Sequence, residues 1–364
     1  MASSGVSTIY QLFFTYGILT GFGNGLMYFS SMVAVQHYFD KKRALATGLA
    51  VSGSGVGMLV FSLLTRILLD KFQLRWTLIC EGIIMLLGIV CGILLRPLAD
   101  HSMGYEQENL LLKEKEEKEA IKETKINSCI LSITNFLKGF FDPTLFLDMR
   151  YCLFITCFFI YNFGMIAPYT YIPERATEVF NIDTTRSAFL ISIIGISNVS
   201  SRLLFAWIGD LGKSIRFLLG LFLLFSSGIV TIFISFYTDY KTMIIYSVIF
   251  GALSGSWISL LPVILVDIVS IDKIEKGFGL LCSFSSFALL FAGPLCGWLI
   301  DKTQNFDSTF YLVGIMQLIS GVVFSFNKLV EYLDERRSSK TLQDESQTLL
   351  KHRRNRSYVS ISYA

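Results

Sequence analysis

The stretch SAFLISIIGISNVSSRLLFAWIG, residues 187–209, decides the fold of this chain because it is long and apolar enough to cross a bilayer. A hydrocarbon core about 30 Å thick takes about 20 residues of helix to cross. Arg202 lies inside this segment, and an arginine near the middle of a membrane helix costs roughly 2.5–3.5 kcal/mol on insertion scales. Its side chain is therefore expected to face other helices or a water-filled cavity and not lipid.

One face of this predicted helix carries small and polar residues. They follow one another at intervals of three and four, which places them on the same side of a helix: Gly195, Asn198, Arg202, Ala206 and Gly209. The other faces carry Ile, Leu, Phe and Trp. The stripe predicts a surface that packs on other helices or lines a polar pathway. The alternative is that Arg202 extends its guanidinium to the membrane interface or forms a structural ion pair.

The composition is that of a polytopic membrane protein. The 364 residues are 53% hydrophobic and 16% charged, against roughly 25% charged in an ordinary soluble domain. The net charge of +3 is small and its basic residues are dispersed, which gives no nucleic-acid signal. Seven cysteines without CxxC pairs, three separate histidines and no nucleophile–base arrangement predict no metal site, no cofactor and no enzyme.

The hydropathy pattern predicts an all-α polytopic membrane protein with nine spans. Three spans precede a polar linker and six follow it, at about 8–35, 44–66, 76–95, 150–172, 187–209, 216–236, 242–267, 277–300 and 309–327. Four parts result: a partial N-terminal helix bundle at 1–96, a central loop at 97–149, a six-helix C-terminal bundle at 150–328 and a tail at 329–364. Most of the 31 Lys and Arg residues fall on the linker and tail side. This bias predicts a cytoplasmic loop and tail, with the N-terminus outside.

The stretch YFDKKRALATGLAVSG, residues 38–53, is similar to the signature that opens the fifth helix of monocarboxylate transporters in the major facilitator superfamily. The matching positions are Tyr38, Phe39, Lys41, Lys42, Arg43, Leu45, Ala46, Gly48, Ala50, Ser52 and Gly53. Stretches at 94–97, 142–154, 250–255 and 293–301 resemble the same family. The resemblance implies the superfamily's fold with an incomplete N-terminal bundle, because the first span aligns with the family's fourth helix.

The resemblance implies a secondary active or facilitative transporter of small monocarboxylates or related organic solutes, which works by alternating access in the plasma membrane. Arg202 falls at the position of the family's carboxylate-binding arginine. Asn198 stands where proton-coupled symporters of the family carry an aspartate, and an amide takes up no proton at physiological pH. The implied partners are a small organic anion, the lipid bilayer and a single-span immunoglobulin-type chaperone.

Five further residues are candidates for a cavity or a gate: Tyr161, Asn162, Phe250, Trp257 and Asp267. For the aromatic residues the alternative is packing in the core. For Asp267 the alternative to ligand binding is a gate or cap at the cytoplasmic end of its span. A second functional hypothesis is a non-transporting truncated isoform that associates with a full-length transporter and modulates it, since the family's first three helices have no counterpart here.

Overall fold

The computed structural model describes residues 8–94 and 143–361, and every regular element in this part of the chain is helical. Nine of its helices are long and apolar enough to cross a membrane, which confirms the predicted all-α polytopic fold. They are α1 Tyr10–Tyr38, α2 Arg43–Phe61, α3 Lys71–Ile93, α4 Met149–Glu178, α5 Thr184–Gly209, α6 Lys213–Phe236, α7 Tyr240–Val269, α8 Ile271–Thr303 and α9 Phe306–Asp334. The predicted central loop falls almost wholly outside the described residues.

Several of these spans contain irregular turns. The helix Ile9–Leu12 passes through a π-helical stretch, Phe13–Leu19, into Thr20–Tyr38. A short helix at Pro143–Leu147 precedes α4, and α4 is itself divided into Met149–Phe163 and Ile166–Glu178. One 3-10 turn ends α6 at Phe233–Phe236 and another begins α8 at Ile271–Lys273.

The chain reverses direction near Gln73, at the start of α3. Helical hydrogen bonding runs from Arg43 to Met85, and the helix Leu87–Leu94 follows, but Gln73 has a φ of 62° and a ψ of 171°. The hydroxyl of Thr65 donates a hydrogen bond to Oε1 of Glu81 at 2.6 Å. In a straight helix these two residues would be about 24 Å apart, so α2 and α3 form a hairpin.

The helix that contains α9 continues without a break to Ile361, and its full extent is Phe306–Ile361. Residues 329–361 of the predicted polar tail are therefore a helical extension of the last span. Its assignment as a separate cytoplasmic part stays a prediction, as do the other three domain boundaries.

Helix α5 lies at the centre of the packing. It contacts α7, α2 and α4, while α6 packs on α9 and α7, and α4 packs on α8 and α9. The predicted stripe of α5 is buried, whereas Leu203, Leu204 and Trp207 on its other faces are exposed. The prediction that the stripe faces other helices is confirmed.

Glycines bring α2 into close contact with α5. A Cβ added at Gly48 would lie 2.7 Å from the Cβ of Ala206, and one at Gly55 would lie 2.6 Å from Cγ2 of Val199. Gly195 faces the carbonyl oxygen of Gly55 in the same contact. The backbones of these helices therefore approach each other more closely than larger residues allow.

A buried ion pair joins α4 and α9 at the end of the bundle where α4 ends and α9 begins. Arg175 is 2% exposed, and its Nε lies 2.7 Å from Oδ1 of Asp307. Its two terminal nitrogens donate to the carbonyls of Tyr237 at 2.9 Å and Ile234 at 3.2 Å. The Ser235 hydroxyl donates to the other oxygen of Asp307 at 2.9 Å. This network ties α4, α6 and α9 together.

Candidate functional site

The guanidinium of Arg202 lies where α2, α5 and α7 meet. The residue is 3% exposed. Its Nε donates to the carbonyl oxygen of Gly255 at 3.2 Å, and its Nη1 donates to the Ser54 hydroxyl at 2.7 Å and to the carbonyl of Val51. Ser54 is exposed, so the buried guanidinium is one hydrogen bond away from the protein surface. The charge is held between helices and does not extend to the membrane interface.

Only neutral groups of the described residues contact this guanidinium. No carboxylate in that part of the chain lies within ion-pair distance of Arg202, and its Nη2 has no hydrogen-bond partner there. The tyrosines Tyr28, Tyr161 and Tyr169 lie in its electrostatic surroundings. A buried charge is normally offset by an opposite charge. The arrangement therefore has the charge and the unused N–H groups to bind a carboxylate.

Asn198 lies one helical turn before Arg202 and is 1% exposed. Its Nδ2 donates to the hydroxyl of Tyr169 at 3.3 Å, and that hydroxyl lies 3.1 Å from the Ser254 hydroxyl. Its Oδ1 is buried without a hydrogen-bond partner among the described residues. A Cβ at Gly255 would lie 2.2 Å from this oxygen, so only glycine leaves space for the amide.

The aromatic candidates lie in the core. Trp257 and Phe250 are fully buried and Tyr161 is 1% exposed. The rings of Tyr161 and Trp257 are 5.8 Å apart between centroids, and Phe250 stacks on Tyr246 at 5.7 Å. These contacts are the core packing expected as the alternative to a cavity role. The Tyr161 hydroxyl and the Trp257 Nε1 are nevertheless buried without partners in the described part of the chain. A cavity role for these residues stays a prediction.

The remaining two candidates lie away from these contacts. Asn162 is partly buried, and its Nδ2 donates to the carbonyl of Phe158 in its own helix at 2.9 Å. Asp267 lies at the end of α7, twelve residues or about 18 Å of helix beyond Gly255. Its Oδ2 is 3.2 Å from Nη1 of Arg216. The structure thus separates Asp267 from Arg202, and a gate or cap role stays a prediction.

The signature at 38–53 forms the turn between α1 and α2 and the first half of α2. Asp210, which follows α5, accepts hydrogen bonds from the backbone N–H groups of Ala44 and Leu45, each at 2.9 Å. Arg43 holds the turn by donating from Nε to the carbonyl of Phe39 at 2.8 Å. The aspartate therefore caps the N-terminus of α2 and fixes it to the end of α5.

Other signature residues have different environments. Lys41, Lys42, Tyr38 and Phe39 are exposed in the turn, and the backbone of Ala46 donates to the Lys42 carbonyl at 3.0 Å. Gly48 packs on α5, whereas a Cβ at Gly53 would meet nothing within 4 Å. Packing thus explains the glycine at position 48 and does not explain the one at position 53.

Five residues of this region are absent from the candidates chosen by sequence: Val51, Ser54, Tyr169, Asp210 and Gly255. Val51 and Ser54 lie in the Gly- and Ser-rich run of α2, and Gly255 ends the stretch 250–255, so each has a local signal. The sequence does not show that Val51 and Ser54 contact Arg202, because about 150 residues separate them from it in the chain.

The chain is similar to known membrane transporters. The family model of the Major Facilitator Superfamily matches residues 1–239 and 211–362. Monocarboxylate transporter 12 of Xenopus laevis is 26% identical over 340 residues, which cover 90% of this chain and 71% of the relative. Monocarboxylate transporter 10 of Homo sapiens is 29% identical over 344 residues, which cover 94% of this chain and 64% of the relative.

A third relative, monocarboxylate transporter 9 of Mus musculus, is 28% identical over 384 residues, which cover 89% of this chain and 75% of its own length. These proteins belong to families of transporters and not of enzymes. The family model extends over both groups of spans. The chain therefore belongs to the Major Facilitator Superfamily and, within it, to the monocarboxylate transporter family.

Proposed function

We propose that this chain transports small monocarboxylates or related organic anions by alternating access, and that Arg202 binds the carboxylate of the solute. The observation that supports this proposal is a guanidinium buried between three helices with no carboxylate partner in the described part of the chain. A solute carboxylate supplies the missing charge. The relatives are monocarboxylate transporters by name, which supports the same class of solute.

The binding step uses N–H groups of the guanidinium that have no partner among the described residues or that donate to neutral acceptors. Nη2 of Arg202 has no hydrogen-bond partner in residues 8–94 and 143–361, and Nη1 is bound to the Ser54 hydroxyl and the Val51 carbonyl, both neutral acceptors. A carboxylate forms shorter and stronger charge-assisted bonds than neutral acceptors do, and with arginine it often forms two in parallel. The solute therefore replaces or adds to the contacts with α2. We assign the orientation of the solute to the amide of Asn198, one helical turn from Arg202, and to the Tyr169 hydroxyl that this amide contacts.

The conformational step is a movement of α1–α3 against α4–α9. Superfamily transporters expose a site near the membrane midplane to one side and then to the other by rocking two bundles. Helix α2 contacts α5 and α7 directly at Arg202. Its movement therefore exposes the guanidinium to the solute or covers it. Asn198 is not ionisable, and we assign no proton transfer to the Asn198–Arg202 pair.

We also propose a membrane, an orientation and a companion protein for this chain. The chain resides in the plasma membrane with its loop and tail in the cytoplasm and its N-terminus outside, and a single-span immunoglobulin-type chaperone accompanies it. The excess of Lys and Arg on the loop and tail side supports the orientation.

The test is uptake by the purified full chain in proteoliposomes, with a panel of radiolabelled aliphatic and aromatic monocarboxylates. We expect uptake of at least one by the unmodified chain and a loss of about tenfold or more in Arg202→Lys, because lysine lacks the planar pair of donors. The matched control is Arg186→Lys, whose parent residue is exposed at the start of α5. Equal uptake by Arg202→Lys and the control would contradict the role of Arg202.

Absence of uptake for the whole panel would reject the transport proposal and favour the alternative from the sequence. In that case co-expression with a full-length monocarboxylate transporter is expected to lower the uptake or the surface level of that protein. Surface biotinylation distinguishes these two effects.

A further inference from the structure

A cavity with surplus positive charge lies at the end of the bundle where α4 and α6 begin and α7 and α9 end. It has a volume of about 60 Å³ and is partly open. Four of its lining residues are basic and two are acidic: Arg150, Lys213, Arg216, Lys328, Asp267 and Glu331. Its formal net charge is therefore +2. The cavity is separate from Arg202, which does not line it.

Ion pairs orient the two arginines but leave hydrogen-bond donors unused. Arg216 lies 3.2 Å from Asp267, and Arg150 lies 3.6 Å from Glu331. The Nε of each arginine is buried and has no acceptor among the described residues. Buried N–H groups are nearly always hydrogen-bonded in folded proteins. Two such donors beside one cavity indicate that an acceptor is missing.

Asn327 is an independent sign of a polar ligand. It lines the same cavity, is 4% exposed, and neither its Nδ2 nor its Oδ1 has a hydrogen-bond partner in the described part of the chain. An amide in the last turns of a membrane helix has a high cost of burial unless it is bonded. A ligand oxygen that accepts from Nδ2 satisfies the donor half of this side chain.

The first turn of α6 adds a further feature that favours an anion. Lys213 and Ser214 line the cavity, and Gly212, which precedes them, provides no side-chain cap. The backbone N–H groups of a first turn have no acceptors inside the helix, and the N-terminus carries a partial positive charge. Helix N-termini of this kind bind phosphate and sulfate groups. Lys213 forms no ion pair with any described residue.

We propose that this cavity binds a phosphate group, carried either by a soluble phosphate or by the headgroup of an anionic lipid. A phosphate dianion balances the formal charge of the cavity. Its oxygens accept from the guanidinium groups of Arg150 and Arg216, from Nδ2 of Asn327 and from the ammonium of Lys213. The inference does not depend on which solute the chain carries, since neither Arg202 nor any residue that it contacts lines this cavity.

The test is thermal unfolding of the purified full chain under two conditions. Inorganic phosphate is added to protein in a neutral detergent, with sodium chloride at equal ionic strength as the reference. Separately, the protein is placed in phosphatidylcholine nanodiscs with and without phosphatidic acid. A rise in the unfolding midpoint with phosphate identifies a soluble ligand, and a rise with phosphatidic acid alone identifies a lipid headgroup. No rise in either condition overturns the proposal.

Two variants connect any rise to this cavity. Lys213→Gln is expected to weaken phosphate binding about tenfold, the effect of losing one charge-assisted contact. Asn327→Leu is expected to leave the unliganded midpoint unchanged or higher, because it removes two buried unbonded atoms, and yet to reduce the response to phosphate. The matched control is Lys241→Gln, an exposed lysine in the first turn of α7 at the other end of the bundle. An undiminished response in both cavity variants overturns the proposal.

Discussion

Nε of Arg202 lies 3.2 Å from the carbonyl oxygen of Gly255, and the space beside the α-carbon of that glycine is occupied by the side chain of Asn198. One residue of α7 therefore fixes the positions of two residues of α5 that lie one turn apart. The carbonyl orients the cation, and the missing Cβ admits the amide. This contact is the most constrained part of the proposed solute site.

Replacing Gly255 by alanine is expected to lower both stability and uptake. The new Cβ would lie 2.2 Å from Oδ1 and 2.4 Å from Cγ of Asn198, so the amide or the whole of α7 has to move. Overpacking of this kind costs about 1–3 kcal/mol. The measurement is the unfolding midpoint together with uptake of the best monocarboxylate. Gly293→Ala on α8 is the control, because a Cβ there meets nothing within 4 Å; equal midpoints for the two variants would refute the constraint.

Replacing Asn198 by aspartate is expected to make uptake pH-dependent. An ionised carboxylate one turn from Arg202 pairs with the guanidinium and competes with the solute, whereas a protonated one does not. Uptake by Asn198→Asp should therefore rise as the pH falls, beyond any change in the unmodified chain. Initial rates over a series of external pH values measure this effect. Asn198→Ser has no ionisable group and serves as the control; parallel pH profiles of the two variants would show that residue 198 does not act on Arg202.

Replacing Asp210 by asparagine is expected to loosen the start of α2. Asn keeps one acceptor oxygen but loses the charge and one of the two bonds to Ala44 and Leu45, and loss of an N-terminal cap costs about 0.5–2 kcal/mol. Thermal unfolding measures the loss. The control is Asp40→Asn, since the side chain of Asp40 is 90% exposed and forms a surface pair with Arg43. A larger effect of Asp40→Asn than of Asp210→Asn would contradict this assignment.

Replacing Arg175 by alanine is expected to cost about 3–5 kcal/mol, the range for breaking a buried ion pair. The variant leaves the Asp307 carboxylate and two carbonyls without the donors they have now. The measurement is again thermal unfolding of the purified chain. Arg186→Ala removes an exposed arginine from the neighbouring helix and should change the midpoint little. A small effect at both positions would mean that the network contributes little to stability.

The sequence predicts most of the fold because hydropathy and helical period are local properties. The nine spans and the inward face of α5 both follow from residues close together in the chain, and the structure confirms both. The ends of the spans are less predictable. Gln73, Asn181, Ser270 and Gln304 have positive φ values in the turns although none is glycine, and composition gives no sign of these conformations.

The candidate site is less accessible to sequence reasoning. Arg202 is recognisable because an arginine in an apolar span needs a physical explanation. Its partners Val51, Ser54 and Gly255 are ordinary small or apolar residues whose backbone or hydroxyl groups do the binding. Only the packing of three helices shows that they share one side chain. The same holds for Asp210, whose two acceptor bonds reach N–H groups more than 160 residues earlier in the chain.

The bonds from Arg202 to Val51 and Ser54 join a helix of the first group of spans to a helix of the second. If a solute carboxylate binds these same N–H donors, they are no longer available to Val51 and Ser54. A bound solute then weakens the contact between α2 and α5, and a tight contact weakens solute binding. Thermodynamic linkage then acts in both directions: a bound anion favours separation of the helices, and their return favours release. One guanidinium would thereby both hold the two helices together and bind the solute. A covalent cross-link that holds α2 against α5 should therefore lower the affinity for the anion.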